Sequence, residues 1–150
     1  MPQSLVKLLV HIVFSTKYRR NLITPEVEPE LFALMSKIIK SKDARLIIAN
    51  GTANHVHLLV SHSKNIALSL LVAEVKRQTS RWIKTKGIEF RDFHWQDGYG
   101  AFSIGESAVP IVKGYIERQK EKHRRQVFEK EYILFLKKYK IEYEQDYLWD

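Results

Sequence analysis

Hydrophobic and polar residues alternate near the beginning of the chain, over residues 5–14. One wholly apolar set of alternate positions comprises Val6, Leu8, Val10, Ile12 and Phe14. The intervening set carries the polar residues Lys7 and His11. Side chains two positions apart share one face of a strand. The segment therefore predicts a β-strand with one face packed on the core.

Apolar residues recur at helical spacing in several later segments. The predicted helices are 25–38 capped by Thr24 with Pro25 in the first turn, 66–84 capped by Asn65, 108 to about 124 capped by Ser107, and 129–140. Ser, Thr and Asn are favoured at helix starts, and Pro is tolerated in the first turn. The third of these helices would end near Arg124.

Short β-rich runs occupy residues 45–50 and 55–61, and 51–54 between them indicate a hairpin turn. An aromatic and glycine-rich segment, 93–104, predicts the last strand. The order βαββαβ is typical of a ferredoxin-like, or RRM-like, α+β fold. We therefore expect an antiparallel sheet with helices on one face, followed by additional C-terminal helices. The 150 residues suit a single domain, in which 126–150 form a helical, acidic C-terminal tail.

The chain carries 25 Lys and Arg against 17 Asp and Glu, a formal net charge of +8, which favours a polyanionic partner such as nucleic acid. It has no cysteine, which excludes disulfides, thiolate metal sites and cysteine nucleophiles. The longest apolar stretch, 5–14, is shorter than the roughly 20 residues that span a bilayer. We expect a cytoplasmic protein that does not bind membranes.

His55-Val56-His57 is the first candidate for chemistry. On a strand, both imidazoles project from the same face, opposite Val56 and Leu58, and their nitrogens are common metal ligands. The alternative is that they are two ordinary histidines on a half-exposed strand. His123 is a spare candidate ligand.

Tyr115 and Gln119 are the second candidate. Four residues apart on a helix, they share one face. A tyrosine can serve as a nucleophile, and an amide carbonyl can bind a hard cation. The alternative is that Tyr115 belongs to an apolar stripe and only packs.

Basic residues cluster near these positions, and few acidic residues lie beside them. Such clusters favour binding to phosphates along a nucleic-acid strand. The candidates for DNA binding are Lys17, Arg19, Arg20, Lys76, Arg77, Arg81, Lys113 and Arg118.

Three motifs together resemble the single-tyrosine HUH transposases of the insertion-sequence 200/605 family. They are the run 55–60 that begins with the histidine pair, the segment from Phe93 to Tyr99, and Tyr115-Ile116-x-x-Gln119. The resemblance covers about residues 5–125. The family often has an aspartate where this chain has Asn54.

The resemblance implies a homodimeric enzyme that cleaves and rejoins single-stranded DNA at mobile-element ends, where it recognises hairpins. His55, His57 and Gln119 match the metal ligands of the family, and Tyr115 matches its nucleophile, which forms a 5′-phosphotyrosine intermediate. The nitrogen and oxygen donors suit Mg²⁺ or Mn²⁺.

Two other functions are also compatible with the sequence. The chain could be a non-catalytic, domesticated protein that binds structured single-stranded DNA or RNA. It could also be a metal-dependent phosphoesterase that uses water as the nucleophile, with Tyr115 only packing.

Overall fold

The computed structural model describes residues 3–123 and 126–150. Its strands are β1 (Leu8–Ser15), β2 (Arg45–Gly51), β3 (His55–His62) and β4 (Gly100–Ile104). Its helices are α1 (Glu28–Ser41), α2 (Leu68–Ile83), α3 (Val109–Glu117), α4 (Gln119–Lys122) and α5 (Phe128–Lys138). In the described ranges, no helix combines the length and the apolar character needed to cross a membrane.

The four strands form one sheet in the order β2-β3-β1-β4, and every neighbouring pair is antiparallel. This order confirms the predicted ferredoxin-like α+β fold. The β2–β3 hairpin closes through residues 52–54. Its register shifts between Leu46 and Ile48, where β2 carries a bulge or similar irregularity. The central strands β1 and β3 place Val13 opposite His57 and Ser15 opposite His55.

The first face of the sheet, which we call the core face, is covered by α1 and α2. The strand residues that pack there are Ile12, Phe14, Val56, Leu58 and Val60, and the helices add Leu31, Met35, Ile39, Leu71 and Val75. The hydrophobic periods of the strands and of both helices meet at this surface. Burial of these apolar side chains is the main source of stability on this face.

The second face, which we call the site face, is covered by α3, α4 and α5. Val13 and Phe102 of the sheet pack there against Phe128, Tyr132 and Leu136 of α5. The expectation that only one face of β1 would be covered is therefore wrong, and His11 on this face is also buried. The C-terminal helix accounts for the difference because it supplies a second apolar cover.

Helix α1 begins at Glu28, later than the Thr24-Pro25 pair predicted. Residues 25–27 form a turn, in which the carbonyl of Thr24 accepts hydrogen bonds from the N–H groups of Val27 and Glu28. Pro29 then occupies the first turn of the helix, where its missing N–H costs nothing. Thr24 therefore acts through its backbone and not through a side-chain cap.

Helix α2 begins at Leu68, and the prediction that Asn65 caps it is wrong. The Asn65 side-chain amide donates to Asp43 instead, at 3.3 Å. No side-chain cap bonds the first turn of this helix. Helix α2 therefore begins without a polar side-chain cap, and its apolar residues Leu71, Val72 and Val75 pack in the core.

The last strand begins at Gly100, and the predicted strand residues 93–99 form a loop. The Lys76 ammonium donates to the carbonyls of residues 96, 97 and 98, at 2.6–3.3 Å. The backbone N–H of Ser15 donates to the side-chain carbonyl of Gln96 at 2.8 Å. Side chains therefore occupy backbone groups that a longer strand would need for pairing.

The third predicted helix is interrupted at Arg118, which separates α3 from α4. The Asn50 side-chain amide donates to the carbonyls of Ile116 and Glu117, at 2.9 and 3.1 Å. These bonds satisfy carbonyls that are left free at a helix end. Arg124, near the predicted end, lies outside the described residues. The final helix α5 agrees with the prediction to within two residues.

Candidate active site

His55 and His57 project from β3 toward the site face, as their spacing predicted. Their ring centroids are 5.2 Å apart, and both side chains are fully buried. The two histidines are buried because α5 covers this face. The ring of Phe128 on α5 stacks on His55, with 4.3 Å between the ring centroids. The alternative of a half-exposed histidine pair is therefore wrong.

Glu131, on α5, lies at the centre of this face and is only 2 % exposed. Its Oε1 is 3.0 Å from Nε2 of His57, 3.0 Å from Nε2 of His123 and 3.7 Å from Nε2 of His55. One ligand atom from each of these four residues lies within 4.8 Å of every other. Three imidazoles and one carboxylate thus converge on a single point.

Tyr115 and Gln119 bind the second oxygen of the Glu131 carboxylate. The Tyr115 hydroxyl donates to Glu131 Oε2, and the Gln119 amide donates to the same oxygen at 3.2 Å. The Gln119 carbonyl is 3.3 Å from Nε2 of His55. The prediction that both residues share one face is confirmed, although a break in the helix lies between them.

The loop before β3 orients His55. Its Nδ1 lies 2.8 Å from Oδ1 of Asn54 and 2.9 Å from Oγ1 of Thr52. An amide oxygen only accepts hydrogen bonds, so Nδ1 carries the proton and Nε2 presents its lone pair. That lone pair faces the Gln119 carbonyl and Glu131, which are also electron-rich. A cation among these atoms would turn a repulsive arrangement into a favourable one.

His57 also has an orienting partner. Its Nδ1 shares a hydrogen bond of 2.8 Å with Nε2 of His11, on the neighbouring strand β1. A partner at the far nitrogen fixes the tautomer and ring orientation of a ligating histidine. The residues present therefore fit a metal ion, and each β3 histidine has a second residue that holds it in place.

Burial keeps the imidazoles of His55, His11 and His57 neutral. It lowers the pKa of His55 and of His11 to about 3 in each case, and the neighbouring His57 adds to the shift of both. The pKa of His57 is lowered as well, mainly by burial and against its hydrogen bond to Glu131. Neutral imidazole is the form that binds a metal.

Glu131 is ionised despite its burial. Burial by itself would raise the pKa of this carboxyl, but hydrogen bonds from His123, His57 and Tyr115 hold it well below its usual range. The Tyr115 phenol shows the opposite shift, because burial and the charge of Glu131 both raise its pKa. In this arrangement Tyr115 is therefore held as a neutral phenol.

A family model described as "Transposase IS200 like" matches residues 4–119 of the chain. The chain belongs to the IS200-like transposase family. The match places it among DNA transposases, which cut DNA and transfer the cut strands, and it confirms the resemblance stated above. Residues His123 and Glu131 lie beyond the matched range.

Two relatives and two solved structures resemble this transposase over most of its length. The transposase for insertion sequence element IS200 from Salmonella typhimurium is 27% identical over 120 residues, covering 76% of this chain and 78% of its own. The ISDra2 transposase TnpA of Deinococcus radiodurans is 23% identical over 121 residues, covering 77% and 86%.

A crystal structure of a Deinococcus radiodurans protein described as a transposase superposes with a TM-score of 0.62 at 22% identity, covering 79% of this chain and 98% of that one. A REP-associated tyrosine transposase bound to a REP hairpin also gives 0.62, at 14% identity, covering 82% and 73%. Both confirm the fold.

The DNA-binding candidates of this IS200-like transposase fall into separate places. Arg77 and Arg81 line a surface cavity of about 770 Å³ between α2 and the loop 94–97. Arg77 also pairs with Glu74 at 2.7 Å. Arg118 lines a different cavity of about 410 Å³ beside Tyr115. Arg20 and Lys113 line neither of these two cavities, so neither cavity gathers the whole set.

Three candidates have structural partners instead. Lys76 binds the three loop carbonyls described above, and burial lowers its pKa to about 8. Lys17 lies 3.6 Å from the Asp97 carboxylate. Arg19 pairs with Glu129 of α5 at 2.6 Å and lies over the Trp149 ring. Arg19 therefore ties the C-terminal segment to the rest of the transposase.

Sequence reasoning missed Glu131 and the role of His11. Glu131 had a detectable signal, because it falls within the apolar stripe of α5 formed by Phe128, Tyr132 and Phe135. A charged residue at such a position needs a buried partner. His11 carried a weaker signal as a polar residue in an otherwise apolar strand.

Proposed function

We propose that this transposase cleaves and rejoins single-stranded DNA at the ends of a mobile element, with Tyr115 as nucleophile. The observation that carries the proposal is the convergence of Tyr115, Gln119 and the two β3 histidines within one chain. A tyrosine that merely packs has no need of these polar neighbours. Because Tyr115 lies beside the histidines of its own chain, one protomer supplies a complete set of groups.

The metal that we propose for this reaction is Mg²⁺ or Mn²⁺, which His55, His57 and Gln119 would hold. When bound, it would polarise the scissile phosphate and stabilise the negative charge of the transition state. His11 and Asn54 keep the two imidazoles oriented toward it. Neutral imidazoles and an amide leave the full positive charge of the ion available to the phosphate.

In the cleavage step the Tyr115 oxygen forms a bond to phosphorus, and the bond from phosphorus to the 3′-oxygen breaks. The phenol loses its proton to solvent, and the 3′-oxygen leaves as a hydroxyl after gaining one. The 5′-phosphotyrosine link conserves the phosphodiester, so another 3′-hydroxyl can reverse the step and join new ends. Arg118, in the cavity beside Tyr115, favours the phenolate.

Access requires α5 to move. His55, His57 and Gln119 are all fully buried beneath this helix, so a DNA phosphate cannot reach them while it is in place. The same movement withdraws Glu131, whose charge raises the pKa of Tyr115. Opening therefore exposes the ligands and eases deprotonation of the nucleophile together.

The partners we propose are DNA hairpins at element ends, a second copy of the chain in a homodimer, and no membrane. The net charge of +8 and the hairpin bound by the REP-associated structural neighbour support the DNA partner. Light scattering on the purified chain tests the dimer, since a mass near 17.7 kDa would indicate a monomer. The compartment we propose is the cytoplasm, where chromosomal DNA is accessible.

The test uses Mn²⁺ and labelled single-stranded hairpin oligonucleotides that carry the flanks of the gene itself. We expect label to become covalently attached to the protein on denaturing gels, and Tyr115→Phe to abolish the adduct. Cleavage that persists in Tyr115→Phe would instead indicate a phosphoesterase that uses water.

Binding without cleavage is the outcome that a non-catalytic protein would give. The full burial of the histidines favours this second candidate, because a permanently closed site could not react. Oligonucleotides that include the true element end distinguish a catalytic transposase from a non-catalytic binding protein. On such DNA a catalytic chain must form the covalent adduct, whereas a binding protein forms none.

A further inference from the structure

The site face contains more metal ligands than the proposed reaction uses. His123, which follows α4, and Glu131, on α5, join His55 and His57 around one point. His123 Nε2 and His57 Nε2 are both 3.0 Å from the same carboxylate oxygen. Neither His123 nor Glu131 falls within residues 4–119, where the family model matches.

We propose that His55, His57, His123 and Glu131 form a closed zinc site that fastens α5 over the site face. Zinc is bound in proteins by four donors in a tetrahedron, at about 2.0–2.2 Å for nitrogen and oxygen. The four donor atoms come from β3, the end of α4 and α5, and lie within 4.8 Å of one another. Small movements of flexible side chains bring them to that spacing.

The closed shell of four donors selects the metal. Three imidazole nitrogens and one carboxylate in a tetrahedron suit Zn²⁺, whereas Mg²⁺ takes six ligands and keeps several waters, as it could only in an opened site. His55, His57 and Glu131 are nearly inaccessible to solvent, so water cannot complete a larger coordination shell. A four-ligand site without an open position is the structural kind of zinc site, not the catalytic kind.

The remaining Glu131 oxygen explains how the same carboxylate engages the nucleophile. With Oε1 on the metal, Oε2 still accepts hydrogen bonds from Tyr115 and Gln119. The zinc form is thus a resting state in which α5 is fixed, Tyr115 is held and Gln119 is not a ligand. That regulatory consequence rests on the proposed function, but zinc binding itself does not.

The test measures zinc binding to the full-length, chelator-treated chain without DNA. We expect one Zn²⁺ per chain by competition with a chromophoric chelator, and a rise of several degrees in Tm. Glu131→Gln and His123→Gln should each weaken zinc binding at least tenfold. His94→Gln and Glu144→Gln, at exposed positions outside the cluster, should bind zinc as the wild type does.

Gln119→Ala distinguishes this site from the reaction site. It should keep zinc affinity within about threefold while DNA cleavage falls, because Gln119 is a ligand only in the reaction. Zinc affinity that depends on Gln119 and not on Glu131 or His123 would overturn the proposal. So would wild-type affinity in both ligand variants. Either result leaves the proposed cleavage reaction standing.

Two measurements guard against variants that fail to fold. X-ray absorption at the zinc edge of the wild-type protein should give a four-coordinate site with three imidazoles, and a six-coordinate, oxygen-rich site would contradict the proposal. Hydrogen exchange on the wild type should slow in 128–138 when zinc is added. Unchanged exchange there would show that zinc does not fasten α5.

Discussion

The two faces of the sheet use the same strands for opposite purposes. On the core face, β1 and β3 present Ile12, Phe14 and Val56 to two apolar helices. On the site face, the same strands present His11, His55 and His57, beneath a helix that contributes Glu131. Adjacent positions on one strand therefore face an apolar core on one side and a buried polar cluster on the other.

The two faces differ in the free energy of burying their side chains. Apolar burial on the core face is favourable residue by residue. Polar burial on the site face is tolerated only because each group has a partner, as in the chain from His11 through His57 to Glu131. Core-face changes should therefore lower stability and spare chemistry, whereas site-face changes should remove chemistry first.

The largest expected effect comes from His57→Ala on the site face. It removes a ligand in the proposed reaction, and cleavage should fall by about 1,000-fold or more. Hairpin binding, measured by titration with labelled DNA, should stay within about threefold. His94→Ala is the matched control because His94 is exposed. Loss of hairpin binding together with cleavage would show that His57 is structural.

The core face gives the converse experiment. Leu71→Ala removes a fully buried side chain and should lower the free energy of unfolding by about 2–5 kcal/mol. Cleavage per folded molecule should change less than about twofold. Leu70→Ala, at a position 59% exposed on the same helix, should cost well under about 1 kcal/mol. Urea unfolding measures both, and equal costs for the two variants would contradict the burial argument.

In metal-free protein, acid should lower the free energy of unfolding through the buried histidines of the site face, which have no counterpart among the described residues of the core face. The pKa of His11 is about 3 in the folded chain and near 6.5 when unfolded, so between these values only the unfolded chain binds the proton. The contribution of the buried, neutral His11 to the free energy of unfolding should therefore be complete above pH 6.5. It should fall toward pH 3 by up to about 1.4 kcal/mol per pH unit for each such histidine.

Urea unfolding between pH 7 and pH 5 measures this slope, and His11→Gln should reduce it. The titratable and charged groups around His11 are His57, Tyr115, Glu131 and Lys138. The low pKa of Glu131 acts in the same direction in more acidic solution. His94→Gln should leave the slope unchanged. An unaltered slope in His11→Gln would contradict the buried neutral imidazole.

The smallest expected effect is at the edge of the site face. Arg19→Gln removes the ion pair with Glu129, whose side chains are 29% and 38% exposed, and should cost less than about 1 kcal/mol. Local opening of α5, followed by hydrogen exchange in 128–138, should nevertheless increase. Lys7→Gln, at the exposed pair with Glu106, is the control. Equal exchange in both variants would show that Arg19 does not tie down α5.

The spacing of residues along the chain was enough to predict much of the fold and of the candidate site of this transposase. The alternation of β1 and β3 and the period of α1 and α2 predict the sheet and its core face. His55 and His57 share one face because they are two residues apart on a strand. Tyr115 and Gln119 share one face because they are four residues apart in a helical segment. Boundaries were harder, since the start of β4 depends on Lys76, which binds its preceding loop from another element.

The sequence by itself therefore determined which strand carries the histidines, which helix segment carries Tyr115, and the family to which both motifs belong. Only the tertiary structure decided that α5 covers them, that His11 supports His57, and that Glu131 joins Tyr115 to three histidines. The physical reason is separation along the chain. Local repeats fix the direction of a side chain, but contacts between residues 11, 57 and 131 depend on how whole elements pack.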